Sequence, residues 1–207
     1  ASAELKGDRE VVLAAVTRHG HALKYASQEL KSDREVVLAA VAQNGEVLQY
    51  VAEELKGDRE VVLAIAPNAL SLVLHDLSEE LKGDRDVVLP AVAHNGFVLQ
   101  YVAEELKGDR EVVLAAVAQS GYVMQYASEE LKRDREVVLR AVALSGSALE
   151  HASAELRGDR EVVLTAVSQN VAVLRFASAE LQGHREVLLE EAVVMRSLGP
   201  LGPKAAR

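Results

Sequence analysis

The fold is decided by the stretch from Asp33 to Gly57, which reads DREVVLAAVAQNGEVLQYVAEELKG. Near copies of this stretch follow one another along the chain. Their first residues are Asp8, Asp33, Asp58, Asp84, Asp109, Asp134, Asp159 and His184, so the spacing is 25 residues at every step except one of 26. A fixed period of this length predicts a repeat protein in which each unit buries its apolar face against its neighbours.

Each repeat is predicted to form two short helices. In the first half, Val37, Ala40 and Val41 lie at helical spacing behind the aspartate that begins the repeat, which is a good helix N-cap. The pair Asn44-Gly45 then predicts a left-handed stop. The second half has the same helical spacing and is expected to form another helix of roughly ten residues that ends at a Lys-Gly pair.

These patterns predict an all-α solenoid of stacked helix-turn-helix repeats. The Leu-x-x-Leu-x-Leu strand signature of leucine-rich repeats, which have a similar period, is absent from the sequence. The expected divisions are a second-half fragment at 1–7, seven helical-hairpin repeats at 8–183, a final half-repeat helix at 184–197 and a flexible Gly/Pro tail at 198–207. Because the chain starts halfway through a repeat, we expect the ends of the array to be covered by a partner or by further repeats.

The composition excludes several functional classes. The 207 residues include no Cys, so disulfides, thiolate metal sites and a cysteine nucleophile are excluded. The net charge of −9 disfavours binding to nucleic acid. The apolar runs are far shorter than a transmembrane helix requires. The sequence does not identify the compartment, and a chain without cysteine suits a reducing compartment or any other. We expect either the cytoplasm or an organelle reached after removal of a targeting segment.

The third and fourth repeats depart from the pattern. The third repeat loses the Asn-Gly pair and gains one residue, and its Asp76 replaces the tyrosine found at Tyr50. The fourth repeat places Pro90 inside its first helix, which predicts a kink or altered twist between residues 66 and 91. These sequence differences are explained either by neutral drift or by a partner that binds at this irregularity. The candidate partner-binding residues of the region are Pro67, Asn68, His75, Asp76, Pro90 and His94.

Five of the seven aromatic residues occupy one column of the repeat, together with Asp76 and His151. They are Tyr25, Tyr50, Tyr101, Tyr126 and Phe176. This column is interpreted either as a set of wedges between adjacent repeats or as a partner-binding ladder with one wet edge. Phe97 and Tyr122 stand just after the glycine, where other repeats carry Glu or Ser. We therefore expect both to face solvent, and they are the stronger candidates for a partner site.

The repeated motif resembles a known family. Asp-Arg-Glu-Val-Val-Leu-Ala-Ala-Val, Asn-Gly and Leu-x-Tyr-Ala-Ser-x-Glu-Leu-Lys are similar to the domain of unknown function numbered four-one-one-six, which is common in algal and protist proteins. The resemblance spans nearly the whole chain. It implies a helical repeat and carries no assigned activity.

The sequence offers no arrangement typical of catalysis, and we expect neither an enzyme nor a bound metal or cofactor. The paired carboxylates, such as Glu53-Glu54, recur in several repeats, whereas a catalytic site needs one distinctive constellation. The histidines show no metal-ligand spacing. We therefore expect a non-catalytic scaffold or protein-binding subunit whose partners are other protein subunits. The alternative is an RNA-binding helical repeat, in which variable positions such as Lys24 and Gln49 would read bases.

Overall fold

All the regular structure within residues 2–198, which the computed structural model describes, is helical. The fold is the predicted all-α solenoid of stacked repeats. The chain divides into two compact units, Ala1–Leu106 and Lys107–Arg207. In each unit the first helices of successive repeats pack against one another. The predicted tail at 198–207 lies outside the described residues, apart from Leu198, which ends the last helix.

The first half of each regular repeat forms the predicted ten-residue helix, which we call the long helix. Asp33 caps its helix through a side-chain oxygen that accepts hydrogen bonds from the backbone N–H groups of Glu35 and Val36, at 3.0 and 3.1 Å. The long helices are Arg9–Arg18, Arg34–Gln43, Arg85–His94, Arg110–Gln119, Arg135–Leu144 and Arg160–Gln169, and the last helix within the described residues is Arg185–Leu198.

The second half is not one ten-residue helix, so that prediction was wrong. A 3-10 helix comes first: Gly20–Tyr25, Gly45–Tyr50, Leu74–Asp76, Gly96–Tyr101, Gly121–Tyr126, Gly146–His151 and Val171–Phe176. An extended residue such as Val51 (φ −72°, ψ 147°) then breaks the helix. A short helix follows: Ala3–Gly7, Gln28–Lys31, Glu53–Lys56, Glu79–Lys82, Glu104–Lys107, Leu131–Arg133, Leu156–Gly158 and Ala179–Gly183. Serines such as Ser27 cap these short helices, which explains why serine recurs there.

The glycine after the long helix serves close packing, and the predicted left-handed stop is wrong. Asn44 is extended, at φ −152°, and Gly45 does not have a positive φ. A Cβ atom on Gly20 would lie 2.7 Å from the carbonyl oxygen of Ala40 in the next repeat. Only a residue without a side chain therefore lets the two repeats approach this closely.

Arginine side chains join the first helices of consecutive repeats. Arg9 contacts Asp33 at 2.8 Å and Glu35 at 2.5 Å, both at the start of the next long helix. The same bridge recurs from Arg34 to Asp58 and Glu60, from Arg59 to Asp84 and Asp86, from Arg110 to Asp134 and Glu136, and from Arg135 to Asp159 and Glu161. These pairs are largely exposed, so they fix register more than they add stability.

The third repeat is interrupted, but not where Pro90 lies. Its first helix, Arg59–Leu63, ends early, and a second helix, Pro67–Val73, begins with proline at its first position. By contrast, Arg85–His94 continues as one helix through Pro90. The irregularity expected between residues 66 and 91 is therefore concentrated at residues 64–66.

Replacing Gly146 by alanine should destabilise the second unit. The new Cβ would lie 2.5 Å from the backbone oxygen of Ala166, which cannot move without shifting a helix. We expect a loss of about 1–3 kcal/mol in the free energy of unfolding, measured by urea denaturation. The matched control is Gly158→Ala, because the nearest atom to a Cβ there is 3.7 Å away. Equal effects of the two changes would contradict the packing argument.

The arginine bridges should make stability depend on pH. A side-chain hydrogen bond from Arg34, with a backbone bond from Val61, lowers the pKa of Asp58 in the folded protein. The folded state therefore binds fewer protons there, so the stabilisation is present above about pH 4 and is lost as the pH falls through the folded pKa. Asp58→Asn keeps a cap acceptor, so we expect it to cost about 0–1 kcal/mol at neutral pH. Urea unfolding of this variant should also lose less stability between about pH 5 and pH 2. An unchanged pH profile would contradict this account.

Candidate partner-binding groove

A groove of about 550 Å³ lies between the second and third repeats, inside the first unit. The second repeat contributes the 3-10 helix Gly45–Tyr50 and the short helix Glu53–Lys56. The third repeat contributes the helix Pro67–Val73 and the 3-10 helix Leu74–Asp76. The buried side chains of Leu48 and Val73 contribute its apolar lining. The other residues that line it are Glu46, Gln49, Glu53, Lys56, Leu72 and Asp76. We call this feature the inter-repeat groove.

The replacement of a tyrosine by Asp76 helps to explain why the groove opens here. At two junctions between other repeats the column carries a ring that lies near a ring of the preceding repeat. The centroids of His21 and Tyr50 are 6.5 Å apart, and those of Tyr122 and His151 are 5.7 Å apart. Asp76 stands in the column between Tyr50 and Tyr101. Its short carboxylate side chain leaves space where the other repeats place an aromatic ring.

A backbone hydrogen bond is missing at the same junction, between the second and third repeats. At the other junctions the end of one short helix accepts a bond from the start of the next, as in Ala52 N–H to Lys31 C=O and Ala103 N–H to Lys82 C=O, both 3.1 Å. Within the described structure no such bond joins Ser78 to Lys56. The arginine bridges on either side of the third repeat are kept, so the repeats remain in register while they separate at the groove.

The groove combines an apolar anchor with a negative rim. Leu72 is 55% exposed, although it is a large apolar side chain. Around it lie the carboxylates of Glu46, Glu53 and Asp76. Lys56 is the one cation among the lining residues, and its Nζ is paired with Glu53 at 2.6 Å. The arrangement suits an apolar side chain accompanied by positive charge.

The structure brings together only some of the candidate residues. Asp76 lines the groove, and its Oδ1 contacts His75 Nε2 at 3.2 Å. Pro67 and Asn68 start the helix that forms one wall without lining the cavity. Pro90 and His94 belong to the next long helix and are outside the groove.

Sequence reasoning missed Leu72, which is the most exposed apolar residue of the groove. The extra residue in the third repeat shifts the alignment, so Leu72 is not recognised as the counterpart of Glu46 and Phe97 unless the repeat is aligned from its end. Aligned in this way, Ser71 takes the place of Gly45, and its side chain is buried. An apolar residue at a position that elsewhere accepts Glu or Ser was the available signal.

The aromatic column is neither fully buried nor fully exposed. Tyr25 and Tyr101 are 63% and 44% exposed, while Tyr50 and Tyr126 are half-buried. Within the second unit, His151 lies edge-on against Tyr122 with centroids 5.7 Å apart. Burial lowers the pKa of His151, so its ring favours the neutral form. Each of the four tyrosines is therefore partly open to solvent, and the part of the column in binding a partner stays a prediction.

Phe97 and Tyr122 are solvent-facing, as predicted. They are 44% and 40% exposed, and they belong to the first and the second unit respectively. Their part in binding a partner remains a prediction.

Comparison with known proteins places the repeats in one family. A family model described as a domain of unknown function (DUF4116) matches residues 1–31, 8–56, 33–66, 68–107, 84–132, 109–157 and 134–182. The chain belongs to this family. Its matches stop at residue 66 and resume at 68, where the structure interrupts the third repeat. Neither a curated protein nor a solved structure matches the chain.

No cluster of three or more His, Cys, Asp or Glu side chains in residues 2–198 is arranged to hold a metal ion. In the same part of the chain, no helix combines the length and the apolar character needed to cross a membrane.

Substitutions at neighbouring positions of the fourth repeat should separate surface from core. Phe97→Ala removes an exposed ring and should change the free energy of unfolding by less than about 0.5 kcal/mol. Leu99→Ala removes a fully buried side chain and should cost about 2–5 kcal/mol. Chemical denaturation followed by circular dichroism measures both. A large loss in the Phe97 variant would mean that this ring belongs to the core.

Proposed function

We propose that this chain is a non-catalytic, protein-binding helical repeat that holds a partner in the inter-repeat groove. The single observation that carries the proposal is the groove itself, where one repeat exchanges a tyrosine for Asp76 and exposes Leu72. At the position of Asp76 the regular repeats carry an aromatic ring. At the position of Leu72 the second repeat carries Glu46. A local change that opens a cavity without breaking the stack is typical of a binding site.

The remaining chemistry supports binding over catalysis. Aspartates that begin the repeats, such as Asp33 and Asp58, are already engaged in helix caps and arginine bridges. Each therefore has a structural role that recurs from repeat to repeat. A catalytic carboxylate would instead need one unusual environment of its own.

The RNA-binding alternative has less support. Among the variable polar positions, Lys24 and Arg175 provide the positive charge, and both cations lie over aromatic rings, at 5.9 Å from Tyr50 and 4.6 Å from Phe176. The others include Gln49 and Glu150, and the net charge of the chain is −9. Such a surface lacks the phosphate-neutralising stripe that RNA requires.

Site-specific photo-crosslinking tests the proposal. A photo-crosslinking amino acid is placed at position 72 of the full chain, and the chain is expressed in the cells from which the protein comes. We expect one defined protein adduct, found by mass spectrometry. It should disappear when Asp76 is replaced by tyrosine, the residue of the regular repeats, because the ring would fill the groove.

The matched control places the same crosslinker at Ser147, the equivalent position of the sixth repeat. An adduct of equal yield at position 147, or one that survives Asp76→Tyr, would show that the groove does not bind the partner. An adduct to RNA would favour the alternative function.

A further inference from the structure

We infer that the occupant of the inter-repeat groove is a basic peptide segment of a partner protein, with one large apolar side chain next to lysine or arginine. This inference rests on the proposed function and adds the chemistry of the partner. It follows from three features of the groove: its apolar anchor, the balance of charge at its rim, and its position between two helices of neighbouring repeats.

The apolar anchor requires an apolar side chain in the partner. Leu72 leaves 55% of its surface in water, while Leu48 and Val73 beside it are buried. An aliphatic or aromatic side chain lying on Leu72 would remove this surface from water without displacing any residue of the core. Contacts of this kind, central and surrounded by polar groups, carry most of the affinity at protein interfaces.

The rim requires positive charge in the partner. Glu46, Glu53 and Asp76 bring three negative charges to the rim. Lys56 contributes one positive charge, which is already paired with Glu53. An acidic or neutral segment would meet uncompensated repulsion or desolvation of these carboxylates, whereas lysine or arginine would pair with Glu46 and Asp76. The net charge of −9 adds long-range attraction for a basic segment.

The dimensions favour a single segment over a broad surface. A volume of about 550 Å³ is in the range of sites that enclose a few side chains. The walls are four short helical segments of two neighbouring repeats, the longest of seven residues, so the groove is short. A peptide that inserts one anchor and flanks it with cations matches this length.

Selection from a random peptide display library tests the inference on the full chain. The library is panned in parallel against the wild-type protein and against the variant Leu72→Glu/Asp76→Tyr, which carries residues that regular repeats hold at these positions and should therefore fold. Peptides enriched only by the wild type should combine a large apolar residue with lysine or arginine. Their binding is then measured by fluorescence anisotropy with the labelled peptide.

Substitutions at the rim and at the apolar anchor are expected to weaken peptide binding by different amounts. Asp76→Asn should weaken binding by about threefold and reduce its salt dependence, because one exposed ion pair is lost. Leu72→Glu should weaken it by about tenfold or more, because the anchor contact is lost. Ser147→Glu, at the equivalent position in the sixth repeat, should leave binding unchanged.

The outcomes separate this inference from the proposed function. If the groove-dependent peptides are neutral or acidic, or if their binding ignores Asp76→Asn and salt, the basic partner is wrong while groove binding stands. If the wild type enriches no peptide beyond those of the double variant, the groove is not a peptide-binding site and the proposed function is wrong as well.

Discussion

Every repeat depends on burying its valines against its neighbours, because a ten-residue helix is too short to be stable alone in water. Val36, Val37 and Val41 are fully buried although they lie on a helix of only ten residues, which requires cover from more than one side. The second half of the same repeat and the neighbouring repeat provide this cover. Stability is therefore shared between repeats, and the unit that folds is the stack.

Two features decide how closely and in which register the repeats stack. Gly20 and Gly146 let the chain approach the backbone of the next long helix at distances that a Cβ would forbid. Bridges from Arg9, Arg34, Arg59, Arg110 and Arg135 then connect the first helix of one repeat to the cap and first turn of the next. The aspartate that begins such a helix therefore also accepts its neighbour's arginine. One aspartate thus links local helix formation to the packing of repeats.

The third repeat shows which of these constraints can be relaxed. It keeps its arginine bridges, but it loses the glycine, the tyrosine and one inter-repeat backbone bond. The stack continues through the buried valines Val61 and Val62 and through the bridges. The space that the lost ring and the lost bond would occupy becomes the inter-repeat groove, and the proposed binding site therefore arises from a defect that the array tolerates.

The sequence by itself determined the period, the all-α class, the ten-residue long helices and their aspartate caps, because each follows from residues close together in the chain. It also located the irregularity near Pro67 and Asp76. Only the tertiary structure decided that the second half splits into a 3-10 helix and a short helix. It also decided that Gly20 and Gly146 pack closely against the backbone of the next repeat, and that Leu72 lines a groove. The physical reason is that these three features depend on the distance between repeats, and that distance is set by packing across residues roughly one period apart.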